Sequence, residues 1–291
     1  MNKFKYLSPT TLDEAVSLYN SYKGKAVYIA GGTDVMVKIK YNVIEPDYVI
    51  SLKNISDMDK FFIDENLNLN IGAFVTHRML ETSSMIQEKY PIIYDAVSNI
   101  GSVQVRNVAT MAGNIVNAAP SADGAIPLIA LDTKVQYYGS NGNNIVNLKD
   151  FFVAPGKTIL KEGEILTQFI IPPMLKNTGS AYIKFSRRAA MELPLIGVGA
   201  LISLDDDLKT CKRVRIGLGV AAPTPMRAIK AEEFLLNKIV DENTLKEAGE
   251  IAADESKVRD SFRGQAWYRK KMIKVFVKRM GLKAFDVARE K

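Results

Sequence analysis

Histidine and cysteine are almost absent from this chain: His77 and Cys211 are the only ones among 291 residues. A lone cysteine excludes an internal disulfide, and with a lone histidine it excludes a His/Cys zinc site. An iron–sulfur cluster held by this chain alone is excluded too, since that takes four ligands. No stretch approaches the roughly 20 apolar residues that cross a bilayer, and no apolar run of signal-peptide length opens the sequence. The expectation is a soluble, cytoplasmic protein. No catalytic triad, carboxylate pair or metal-ligand cluster is legible, nor any zinc-finger spacing or RNA-binding signature.

Charge is present but uneven. The net charge is +7, yet residues 257–291 hold twelve Lys/Arg against three Asp/Glu, leaving −2 for everything before them. A nucleic-acid binder spreads its basic residues differently. The tail reads as the basic face of a terminal helix, either solvated or turned toward an acidic partner. Apolar content of 47% and charge of 24% are ordinary for a globular chain long enough for two or three compact units.

Against that background two stretches stand out. Ala26–Lys40, AVYIAGGTDVMVKIK, is an apolar strand, a Gly-Gly break and a helix start that Thr33 or Asp34 can cap. Gly101–Asp123, GSVQVRNVATMAGNIVNAAPSAD, gathers glycine, asparagine, serine and threonine around a short apolar run. Such segments offer backbone N–H groups and short amide or hydroxyl side chains to a polar ligand, and two glycine turns can hold a pyrophosphate from two sides. Asp34 is awkward beside a phosphate, so it is expected to cap backbone amides or to meet another part of the ligand. His77, near a helix start within 76–87, is expected to be cap-like or at the surface. Within the second stretch Val103 and Val105 alternate with Gln104 and Arg106. A loose GxGxxA match at Gly217–Ala222 is rejected as a dinucleotide motif, because Pro223 and Pro225 leave no room for the helix it needs.

Elsewhere, Thr11 and Glu14 have capping-box spacing for a helix to about Tyr22. Strands are expected at 26–30, 46–52, 61–63, 67–71, 134–138, 144–148 and 165–171. The last is stopped by Pro172-Pro173, which marks a domain boundary. Long strands at 180–186, 193–204 and 211–221 and helices at 227–237, 243–256 and 265–280 predict an antiparallel sheet backed by helices. In the last helix Tyr268, Met272, Phe276 and Met280 are expected to form the core face.

Taken together, AGGTD at Ala30–Asp34, GSVQVRNVATMAGN at Gly101–Asn114, NAAPSAD at Asn117–Asp123, YIKFSRRAAMELP at Tyr182–Pro194 and RGQAWYRKKM at Arg263–Met272 resemble one family. It is the FAD-binding medium subunit of the molybdenum hydroxylases, of the xanthine dehydrogenase and carbon monoxide dehydrogenase type. The resemblance covers essentially the whole chain, in order. It implies an α+β protein: two N-terminal α/β subdomains of the PCMH (vanillyl-alcohol-oxidase-type) FAD-binding fold, at 1–56 and 57–173, and a C-terminal antiparallel sheet with a helical bundle at 177–288. FAD is the implied cofactor, with no metal and no catalytic side chain in this subunit, because the flavin carries the redox chemistry itself.

The implied FAD contacts are Val27, Tyr28, Ile29, Ala30, Gly31, Gly32, Thr33 and Asp34 in the first segment. Ile100, Thr110, Met111, Ala112, Gly113, Asn114 and Asn117 follow in the second, with Asp123 toward the sugar or adenine end, and then Leu166 and Lys184. Ala112 stands where the family commonly has glycine, and a positive φ there would cost about 1 kcal/mol. The implied partners are a molybdopterin-binding large subunit and a 2Fe–2S small subunit, with NAD+ as electron acceptor. Two rival readings share the fold: a self-sufficient PCMH-type flavin oxidoreductase, and an FAD-free assembly or interaction module.

Overall fold

A computed structural model describes residues 3–290. The chain opens with a small parallel sheet in which Tyr48–Ser51 lies between Lys5–Leu7 and Ala26–Ile29. The helix Leu12–Ser21 joins the first two strands, and the Thr11 hydroxyl caps it by accepting the Glu14 N–H at 3.1 Å. The reciprocal bond of the expected capping box is displaced by one residue: Glu14 accepts from the Thr10 N–H, at 2.8 Å.

A five-stranded antiparallel sheet follows, in the order Phe61–Ile63, Leu69–Gly72, Ile165–Ile171, Lys134–Gly139, Gly142–Asn147. Its central strand Ile165–Ile171 therefore closes a loop of nearly a hundred residues begun at Leu69. The intervening short helices, Ser84–Lys89, Pro91–Val97, Met111–Val116 and Ala125–Ala130, bury their apolar faces in one core with both ends of the sheet. The single helix expected over 76–87 is two, His77–Glu81 and Ser84–Lys89, because the Ser83 hydroxyl starts the second by accepting the Ile86 N–H. Val103–Val108 is helical as well, capped by Ser102.

The last third is a four-stranded antiparallel sheet, Thr178–Phe185, Ile196–Leu204, Cys211–Gly219 and Met226–Arg227, backed by helices Ile229–Leu235, Glu242–Glu255 and Ala266–Arg289. Ile196–Leu204 is buried at every residue, because the long helix covers one face and Ala125–Ala130 the other. The strand sequences make this possible. Gly197 pairs with Gly219 and Gly199 with Gly217, giving a flat patch without side chains on two neighbouring strands. Ile126 fills it: a Cβ at Gly197 or Gly219 would lie 2.4 Å from its Cδ1, and one at Gly217 would lie 2.7 Å from its carbonyl oxygen. The glycines of the rejected GxGxxA match are thus a helix-packing surface.

The same junction carries an ionic hub. Asp132, just after that helix, accepts from Arg213, from Arg215 Nε at 2.8 Å and from Arg227 Nη1 at 2.7 Å. Burial alone would raise its pKa, but the hydrogen bonds from Arg213 and Arg215 and the charges of Arg215 and Arg227 outweigh burial and hold it below the usual carboxylate range. Cys211 starts the third strand fully buried, and burial pushes its thiol up to about 12. In the final helix the core face runs through Ile273, Phe276, Val277, Met280, Ala284 and Ala288, so Tyr268 and Met272 are only half-buried. Lys278 and Lys283 pair with Glu242 and Asp95, so part of the basic tail is neutralised within the chain.

Candidate functional site

A cavity of about 850 Å³ is lined by residues of the strands Ala26–Ile29, Ile165–Ile171 and Thr178–Phe185, one from each of these sheets. That volume is at the upper end of the roughly 300–1,000 Å³ typical of small-molecule sites. Both glycine-bearing segments reach it. The strand Ala26–Ile29 runs into Ala30-Gly31-Gly32, where Gly32 has φ +75°, a region closed to most side chains. Gly31 packs directly on the second segment: a Cβ there would lie 1.9 Å from the Val108 carbonyl oxygen and 2.6 Å from its carbon. Only glycine permits the two loops to approach this closely. In the second segment Thr110 caps Met111–Val116, its hydroxyl accepting the Gly113 N–H at 3.0 Å. The N–H groups of Gly31, Gly32 and Thr33, and of Ala112, have no acceptor among the described residues. The result is a wall rich in free donors, suited to an elongated ligand with a diphosphate at its middle.

Of the sequence-derived candidates, Val27, Tyr28, Ala30, Gly31, Gly32, Thr33, Asp34, Ile100, Thr110, Ala112, Gly113, Asn114, Asn117, Asp123, Leu166 and Lys184 all line this cavity. Ile29 and Met111 do not. Ile29 packs beneath Gly32, and Met111 is fully buried in the core. The expected side-chain cap from Asp34 is also absent. Its carboxylate instead accepts from Asn117 Nδ2 at 3.1 Å, and Asn117 Oδ1 accepts from Lys38 Nζ at 2.9 Å. Ala112 keeps a negative φ inside its helix, so the glycine-to-alanine departure carries no backbone strain.

One buried charged group connects the cavity to the C-terminal sheet. Lys184, on strand Thr178–Phe185, donates to Asp123 Oδ2 at 2.8 Å and to the Asn99 carbonyl at 2.9 Å. Asp123 Oδ1 accepts from the Tyr182 hydroxyl at 2.8 Å. The Lys184 and Asp123 side chains are each 6% exposed. Burial pushes the Asp123 carboxyl up while Lys184 and Tyr182 pull it back, and burial with the Asp123 charge raises the Tyr182 hydroxyl well above its ordinary value. Ile100 is fixed by another ion pair: Arg106 grips both Glu81 oxygens at 2.9 and 3.0 Å and donates to the Ile100 carbonyl at 2.9 Å.

His77 corrects the sequence reading. It is neither a cap nor at the surface: Thr76 caps its helix, and the imidazole is fully buried in the cavity wall with no partner for either nitrogen. Burial, then the nearby Arg106 charge, push its pKa down to about 4. Its folded pKa lies below the unfolded value of about 6.5, so the native state binds fewer protons. Stability is therefore expected to be whole above about pH 6.5 and to fall by about 3 kcal/mol as the pH drops to 4. Denaturant melts of the wild type and His77→Phe across that range check this. The variant's curve should be flatter there. Lys38, Glu192 and Phe74 also line the cavity without having been singled out from sequence. For Lys38 a signal existed, since it lies one helical turn after Asp34.

Comparison with known proteins follows the same lines. Residues 2–174 match the model of the FAD binding domain in molybdopterin dehydrogenase, and residues 180–284 that of the CO dehydrogenase flavoprotein C-terminal domain. The chain is 33% identical over 276 residues to the xanthine dehydrogenase FAD-binding subunit of Escherichia coli O157:H7, covering 94% of each. It is 28% identical to the nicotinate dehydrogenase FAD-subunit of Eubacterium barkeri, over 98% of this chain and 97% of that one. Among solved structures, a chain of carbon monoxide dehydrogenase from Hydrogenophaga pseudoflava superposes with a TM-score of 0.93 at 27% identity, covering 98% of each.

Proposed function

The chain belongs to the FAD-binding medium subunits of the molybdenum hydroxylases, and from that membership we propose that it is a cytoplasmic electron-transfer subunit working between 2Fe–2S clusters of a small subunit and NAD+. A molybdopterin-binding large subunit is its other partner. Bound FAD supplies the redox chemistry, and the protein supplies binding, orientation and electrostatics. The observation that carries the reading is the contact of the two glycine loops across one cavity, with unpaired backbone donors on both sides. Gly31–Thr33 and Thr110–Asn114 hold the diphosphate, Ile100 and Leu166 supply apolar walls, and Lys184 brings an ammonium held in place by Asp123. The subdomains meet at 56/57 and the C-terminal domain begins at 177.

The full chain purified by itself is expected to carry about one FAD, and anaerobic NADH is expected to bleach the flavin band. A colourless chain that takes up no added FAD would remove the flavoprotein reading. A flavin that stays oxidised under NADH would remove NAD+ as acceptor and leave the cofactor in place. Isolation from the native cell should bring down a larger and a smaller partner.

A further inference from the structure

We propose that Lys38 supplies the cationic contact to the cofactor's diphosphate, as one member of a clasp with Asn117 and Asp34 that links the two glycine segments. The proposal rests on the FAD reading above. Lys38 is exposed, lies on the helix Val35–Lys40 that leaves the first glycine loop, and lines the cavity. Its ammonium reaches Asn117, which follows the helix Met111–Val116 of the second loop, and Asn117 in turn holds the Asp34 carboxylate. The relay thus joins the two walls on which the diphosphate is placed.

Charge bookkeeping at this wall makes Lys38 necessary. Asp34 stands beside a ligand segment of about two negative charges, and alone it would repel it. The other cavity lysines are placed elsewhere. Lys184 is committed to Asp123 and Asn99, and neither the Lys157 nor the Lys161 side chain bonds to a glycine loop. Lys38 is the one cationic side chain among the described residues tied to the Asp34 carboxylate, through the Asn117 amide rather than by a direct salt bridge. That arrangement leaves the ammonium free to turn from a neutral amide oxygen to a phosphate oxygen, a stronger, charge-assisted acceptor.

The test is FAD binding to apoprotein prepared from the full chain, followed by flavin fluorescence, with riboflavin as the probe lacking phosphate. Lys38→Met is expected to weaken FAD on the order of tenfold, through faster release, and to leave riboflavin unchanged. The loss should steepen at low ionic strength. Asp34→Asn added to Lys38→Met should recover most of it, a non-additivity that a merely structural role would not produce. Lys38→Met binding FAD as tightly as the wild type, or weakening FAD and riboflavin equally, would overturn the proposal. Failure of the wild type to bind FAD would instead overturn the function on which it rests.

Discussion

Gly31→Ala is expected to release FAD and to destabilise the chain together. The new methyl would lie 1.9 Å from the Val108 carbonyl oxygen and 3.0 Å from the Ala109 Cα, far inside contact distance. Both neighbours are backbone, so no rotamer change relieves the clash. Overpacking against side chains costs about 1–3 kcal/mol, and a backbone wall puts this site at the upper end, about 3 kcal/mol. The loops must part to accept the methyl, and the paired walls for the diphosphate part with them. Flavin absorbance per purified chain should fall to about a tenth of the wild-type value or less. Gly113→Ala separates the two effects. Its methyl would meet only the Thr110 hydroxyl oxygen, at 3.1 Å, and otherwise faces the cavity. Its melting temperature should stay within a few degrees while FAD binding weakens. Retention of full FAD by Gly31→Ala would show that the loops do not act as a matched pair.

Lys184→Met is expected to cost about 3 kcal/mol at neutral pH, because it strands Asp123 in the protein interior. Only the Tyr182 hydroxyl would still serve that carboxylate. The sign of the pH dependence identifies the cause. In the variant the folded Asp123 pKa rises further above its unfolded value, so the penalty is full at high pH and shrinks as the pH falls and the carboxyl protonates. Urea melts at pH 8 and pH 5 should differ accordingly, with the variant closer to wild type at pH 5. Asp123→Asn combined with Lys184→Met should restore most of the stability. A penalty that does not change with pH would assign it to lost packing of the lysine stem.

Sequence carried the strands and most of the cavity wall, for reasons visible in single residues. Strands such as Ile165–Ile171 and Cys211–Gly219 announce themselves by β-branched runs ended by proline or glycine, and the glycine loops by residues that only close approach requires. What escaped depends on contacts distant along the chain. Val103–Val108 looks extended by alternation over four residues, but it is a helix whose Arg106 is buried against Glu81, 25 residues earlier. Ile29 and Met111 sit inside cavity-lining runs, and only the local backbone turn decides that Met111 faces the core and that Ile29 packs against Gly32. His77 carries no local mark of burial: its neighbours Thr76 and Arg78 are polar, and the wall above it is built by residues 100–110. Lys38 and Asn117 are 79 positions apart, and no pattern within either segment pairs them.

The burial of Cys211 makes the chain its own unfolding gauge. With the sole thiol at 0% exposure and its ionisation displaced to about pH 12, alkylating reagents find nothing to attack until the strand Cys211–Gly219 leaves the sheet. The labelling rate in native buffer therefore reads the opening of the C-terminal domain directly. Any cysteine introduced on the surface becomes, by the same token, a single addressable position for a probe.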